Sequence, residues 1–143
     1  MTYKVTDTIK GESADTMTFK QIVLQGASTR PGVTAHSIVG DMPQYTPGEE
    51  TVIFLGSESR LGFNAPIGIF QGKFDVQTDS AGNKTVVNVM DNRGLFVGMR
   101  SSPALKAMSL TPSEKQMIGT NGGEMDYADF VSLVKKINAS QQN

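Results

Sequence analysis

The residue types able to do chemistry are few in this chain. Its one histidine, His36, stands next to Ser37 and five residues before Asp41, the smallest set that offers a base, a nucleophile and an orienting carboxylate. Adjacent residues of an extended segment point to opposite faces, which places His36 badly for activating Ser37, and no Gly-x-Ser-x-Gly elbow is present. A loop histidine with local hydrogen bonds is the simpler reading. Carboxylates at Asp41, Glu49, Glu50, Asp75, Asp79 and Asp91 lie on expected loops and strand ends that could converge in space. Glycosidase-type work needs two of them about 5 to 9 Å apart in a cleft, and no spacing here dictates such a pair. Asp79 and Asp91 suit hairpin turns, and Asp126 suits a helix N-cap.

With one histidine and no cysteine, the only metal site open to the chain is an oxygen-ligand site for calcium or magnesium. Asp79-Ser80-Ala81-Gly82-Asn83 has the look of such a loop but lacks the alternating acids and distal glutamate of an EF-hand, and it reads as a hairpin turn. Gly119 to Gly123 precedes a helix, yet it follows no strand and holds no lysine, so it reads as a joint rather than a phosphate loop. No residue is assigned to catalysis, to a cofactor or to a metal. The residues best suited to touching a partner are Arg30, His36, Asp41 and Tyr45 in the segment Gly26 to Glu50, and Arg60, Leu61 and Phe63 in the loop Arg60 to Asn64.

The elements that must position these residues are mostly strands. Thr2 to Lys10 alternates, with Tyr3, Val5 and Ile9 on one face, as a half-buried strand does. Met17 and Phe19 alternate before the apolar phase slips to Ile22 and Leu24, which predicts a bulge near Lys20-Gln21. Gly26 to Glu50 is rich in turn residues, with room for a short strand from Ala35 to Val39. Thr51 to Leu55 is apolar without interruption at Val52-Ile53-Phe54, the pattern of a central strand covered on both faces. Pro66 to Gln77 and Lys84 to Met90 form a hairpin around the 78–83 turn, and Gly72 within it marks a kink or a close backbone approach.

After Leu95-Phe96-Val97 the period becomes helical. Ser102-Pro103 opens one short helix, and Thr111-Pro112-Ser113-Glu114 has the form of a capping box that opens another, closed by Gly119. Tyr127, Phe130, Leu133, Val134 and Ile137 lie on one face of a final helix over 126–138 that should dock on the sheet. Residues 1–138 thus read as a single β-rich domain, with 139–143 a disordered tail. Met99, Met108, Met117 and Met125 read as packing for the short helices rather than as an adaptable contact surface.

Tyr3-Lys4-Val5 through Ile9-Lys10-Gly11, Pro47-Gly48-Glu49 before Val52-Ile53-Phe54-Leu55, Gln71-Gly72-Lys73-Phe74, and Tyr127-Ala128-Asp129-Phe130-Val131 occur in an order that resembles an uncharacterised group of bacterial exported β-domains. The resemblance covers most of the chain and implies a secreted or periplasmic location. The first strand, ending in Lys-Gly, is also similar to the OB-like barrels of netrin-type and tissue metalloproteinase-inhibitor domains. Those inhibitors place an N-terminal cysteine on their target's zinc, and a chain without cysteine cannot share that chemistry. Met1 is followed at once by a strand-like segment, so the chain starts either as a cytosolic protein or as an exported one whose signal peptide has been removed.

Of the chain's 143 residues, 38% are apolar and 19% charged, a globular balance. Thirteen basic residues against fourteen acidic ones leave a net charge of -1, which argues against nucleic acid as a partner. No apolar run approaches the roughly 20 residues that span a bilayer. The expected fold is α+β, mainly β: a small bent antiparallel sheet or OB-like barrel of roughly five to seven strands with short helices and a packed C-terminal helix. The expected function is a non-catalytic exported or envelope-associated protein-interaction module, without cofactor. The alternative is a small-ligand binder or a carboxylate-based hydrolase in the barrel mouth.

Overall fold

The computed structural model describes residues 1–21, 25–26, 35–36 and 43–141. Three antiparallel sheets carry the strands. β1 (Thr2–Lys4) pairs with β2 (Thr16–Thr18), Tyr3 lying opposite Met17. β3 (Gln25–Gly26) pairs with β4 (Ala35–His36). The main sheet has the order β5 (Thr51–Ile53), β6 (Lys73–Thr78), β7 (Lys84–Asn88) and β8 (Met125–Asp126). The helices are α1 (Pro103–Ala107), α2 (Pro112–Gly119) and α3 (Tyr127–Ser140), and the fold class is α+β.

The β6–β7 hairpin forms where the alternation and turn chemistry place it. Val76 lies opposite Val86 and Phe74 opposite Asn88, so the buried Phe74 and Val86 share one face. Asp79 closes the turn: its Oδ1 accepts from the amides of Ala81 (2.8 Å) and Asn83 (2.9 Å), and its Oδ2 accepts from Asn83 Nδ2 (2.8 Å). α3 then lies on that face. Asp126 caps it by accepting from the Asp129 amide, and Phe130, Val131 and Leu133 are buried beneath it. Phe74 meets Phe130 at 4.8 Å and Phe54 at 5.7 Å between ring centroids. Met117 and Met125 are buried in the same core, with Met99 and Met108 packed against it, so these methionines are packing residues.

The capping box of α2 is complete, Thr111 and Glu114 each accepting from the other's amide. Glu114 has no solvent exposure, and Lys136 Nζ donates to both its oxygens at 2.7 and 2.8 Å. Ser132 Oγ donates to it as well (2.8 Å), so the carboxylate that caps α2 also ties it to α3. Burial pushes the Glu114 carboxyl up, but the bonds from Lys136, Thr111 and Ser132 outweigh that and hold it below its ordinary value. A second buried polar knot sits after β7. Asn92 Oδ1 accepts from the Asn88 amide (2.9 Å) while its Nδ2 donates to the carbonyls of Val86 (3.0 Å) and Gly123 (2.8 Å), pinning the chain that enters β8.

Several expectations are corrected. The sheet is open and does not close into a barrel: β5 and β8 are opposite edges, because the chain turns at Asp126 into α3 instead of continuing as a strand long enough to return. β5 is therefore an edge strand with half-buried residues, not a central one. The strand expected over Thr2 to Lys10 ends at Lys4; beyond it Asp7 pairs with Lys135 (2.8 Å) and the Ile9 carbonyl accepts from Asn138 Nδ2 (3.1 Å), drawing the chain toward α3. Ile67 to Gln71 is a run of turns rather than the start of β6, with Gly68 and Ile69 both at positive φ, and Pro66 before it makes an isolated bridge to Leu55. No strand runs through Lys20-Gln21, whose expected bulge involved Ile22 and Leu24, outside the described residues. α3 continues to Ser140.

Gly72 is the close approach that the sequence implies. The Phe54 amide donates to its carbonyl (2.8 Å), and a Cβ there would stand 2.5 Å from Ile67 N and 2.6 Å from Ile67 O. Backbone on both sides cannot yield as a side chain end can. Gly72→Ala is expected to lower the unfolding free energy in urea by about 2 kcal/mol. Gly98→Ala, with nothing within 4 Å of its Cβ, should stay within about 0.5 kcal/mol of the parent.

Candidate functional site

The densest cluster of titratable groups gathers where the β1–β2 hairpin lies over β6. Phe74 faces the core, so its neighbours Lys73 and Asp75 point to the other side of the sheet. Lys73 is nevertheless only 5% exposed, because Tyr45 and Glu49 cover it together with Tyr3. The rings of Tyr3 and Phe19 are stacked at 6.1 Å, and Tyr45 meets Phe19 edge-on at 5.7 Å. Lys73 Nζ sits 5.4 Å from the Tyr45 ring centroid, donates to Glu49 Oε2 at 3.0 Å, and donates also to Asp75 Oδ1. The other Glu49 oxygen accepts from Tyr3 Oη at 2.5 Å.

The electrostatics follow from that geometry. Burial pushes the Glu49 carboxyl up, but the Tyr3 hydroxyl, the Lys73 ammonium and a bond to the Thr46 backbone together hold it below its ordinary value. Burial raises Tyr45 to about 12, with a smaller push from the Glu49 charge. Burial also raises Tyr3, reinforced by its bond to Glu49. Lys73 donates to two carboxylates and Tyr3 to one of them, an arrangement that offers neither a free base nor a nucleophile. Its evident work is to fasten the N-terminal hairpin to the sheet. The Tyr45 hydroxyl is buried and finds no partner among the described residues.

Among the described residues the other candidate carboxylates, Glu50, Asp79 and Asp91, do not join this cluster. Glu50 holds Lys84 with both oxygens at 2.7 Å, Asp79 serves its own turn, and Asp91 lies 3.4 Å from Arg93 Nε. An open cleft of about 230 Å³ between α2 and the entry to α3 has Phe96, Met117, Met125, Glu124 and Asp126 among its lining. Glu124 accepts from Thr85 Oγ1 (3.0 Å) and Asp126 caps α3, so each already has a structural partner. Among the described residues no three His, Cys, Asp or Glu side chains group to hold a metal ion, and no helix is long and apolar enough to cross a membrane.

Of the candidate contact residues, Arg30 and Asp41 lie outside the described residues, as does Ser37. His36 is in β4, its backbone opposite Gln25. Tyr45 belongs to the aromatic cluster over Lys73. Arg60, Leu61 and Phe63 share one tight loop: the Ser59 amide donates to the Phe63 carbonyl (2.8 Å), the Phe63 amide to Ser59 Oγ (3.1 Å), and the Asn64 amide to the Lys20 carbonyl (2.8 Å). Within it Phe63 is half-buried and Arg60 exposed, while Leu61 is 79% exposed at the tip. Sequence reasoning missed Lys73, Tyr3 and Glu49 as a unit. The available signal was a lysine beside Phe74 in a strand whose other face is covered.

Two outcomes test the cluster. Tyr45→Phe keeps the ring contacts and removes an unpaired buried hydroxyl, so the variant should match the parent or exceed it by about 1 kcal/mol in urea unfolding. It should also lose a phenolate absorbance step near pH 12. Because burial raises Tyr45 in the folded protein, its ionisation opposes folding, so the parent keeps its stability below pH of about 10 and falls behind the variant as pH climbs to the folded value. Glu49→Gln should cost about 2 kcal/mol at neutral pH. Glu49 is lowered when folded, so the gap between parent and variant persists above the ordinary glutamate value and closes as pH falls through the lower, folded one. Neither a known protein family, nor a curated protein, nor a solved structure matches the chain, and its function is read from its own residues.

Proposed function

We propose that this chain is a non-catalytic protein-interaction module, exported or envelope-associated, that engages its partner through the Arg60 to Asn64 loop. The observation that carries this is Leu61, a large apolar side chain 79% exposed on a loop held by its own backbone bonds. A loop already fixed loses little entropy on binding, and burying one leucine contributes about 2 kcal/mol. The chain returning from the loop adds Ile67 and Ile69, exposed at 59% and 48%. Meanwhile Glu49, Glu50, Asp75, Glu114 and the buried Lys73 are spent on internal bonds, which supports binding over catalysis. The near-neutral charge supports a protein rather than a nucleic acid. The exported location rests on the resemblance to bacterial exported β-domains.

A photo-crosslinking residue placed at Leu61 in the producing cells should yield a discrete protein adduct from the envelope or the medium, and the same residue at Ala81, in the exposed β6–β7 turn, should not. Once that protein is isolated, Leu61→Asp should weaken its binding at least about tenfold. No adduct from Leu61, or the same adducts from both positions, overturns the proposal.

A further inference from the structure

We propose that the Asn121–Gly122 peptide is a self-modification site, at which the Asn121 amide is lost through a cyclic imide to give aspartate and isoaspartate. The chemistry needs a side-chain amide carbon open to attack by the next backbone nitrogen, and a following residue without a Cβ to obstruct it. Asn121 is exposed and is followed by glycine. Its Oδ1 accepts from the Gly94 amide at 2.9 Å, which draws electron density from the amide carbon and holds the side chain in place. Among the described residues the Gly122 nitrogen makes no backbone hydrogen bond that attack would have to break.

The step balances with water as the only co-reactant. Gly122 N gives up its proton and bonds to Asn121 Cγ, the Cγ–Nδ2 bond breaks, and ammonia leaves with the proton. Water then opens the ring at either carbonyl, so the sum is asparagine and water to aspartate or isoaspartate and ammonia. The chain's other described asparagines are worse placed. Asn88 and Asn92 are buried within their shared network; Asn64 is followed by Ala65 and donates through Nδ2 to the Gly56 carbonyl (3.3 Å). Asn83 is followed by Lys84 and tied to Asp79, and Asn138 is fixed in α3 by its bond to the Ile9 carbonyl.

The modification would reach the fold through the next residue. The Gly123 amide donates to the Asp91 carbonyl (2.8 Å), and the Gly123 carbonyl accepts from Asn92 Nδ2 (2.8 Å). An isoaspartyl link adds a methylene to the backbone two residues before these bonds, and so shifts the joint that leads into β8.

The folded protein, kept under mildly alkaline conditions and mapped by peptide mass spectrometry with isoaspartate-specific methylation, should deamidate at Asn121 at least about tenfold faster than at any other asparagine. Asn121→Gln should abolish the fast phase of ammonia release. The separated isoaspartyl form should show faster hydrogen exchange at the Gly123 amide than the parent. A margin below tenfold, or a fast ammonia phase surviving in Asn121→Gln, overturns the assignment of the site. Unchanged exchange at Gly123 overturns its coupling to β8.

Discussion

Phe74 packs against Phe130 from α3 and Phe54 from the segment after β5, and this three-ring contact seats α3 on the main sheet. It fixes which face of β6 is the inner one. Once Phe74 points inward, strand geometry forces Lys73 outward on the opposite face, where a long cationic side chain would ordinarily remain in water. The β1–β2 hairpin covers that face instead, so Lys73 needs the carboxylates of Glu49 and Asp75 and the face of Tyr45. β6 is thus the layer between an aromatic core and a smaller ionic and aromatic one.

The same logic operates at the other end of the sheet. The chain leaving β7 passes through Asp91 and Asn92, both at positive φ, and the Asn92 side chain satisfies the Val86 and Gly123 carbonyls at once. That knot positions the two-residue strand β8, and β8 delivers Asp126 to cap α3. Glu114 repeats the economy between helices, closing the capping box of α2 while holding Lys136 and Ser132 of α3. Glu49, Lys73, Asn92 and Glu114 thus bind the protein's own elements together, while Leu61 faces outward.

Local signals carried the sequence reading wherever one segment settled its own structure. The β6–β7 hairpin, the Thr111–Glu114 box, the Asp126 cap and the apolar face of α3 all depend on residues within a few positions of one another, so propensity, period and capping chemistry determine them. Gly72 belongs with them, since a glycine inside a strand pattern implies a close neighbour even before that neighbour is known. The α+β class followed from these elements together.

Tertiary packing decided the rest. An apolar run such as Val52-Ile53-Phe54 looks the same in a central strand and in an edge strand whose two faces are half covered, and only the placement of β5 beside β6 distinguishes them. Closure into a barrel depended on whether the chain after β8 went on as strand or turned into helix over the core. Tyr3 reaches Glu49 across 46 positions of sequence and Lys73 reaches it across 24, and no periodicity spans such distances. The sequence alone determined the elements with strong local signals, because hydrogen bonding and side-chain period act over a few residues; the tertiary structure decided where the others end and which faces are covered, because burial is a property of two segments meeting.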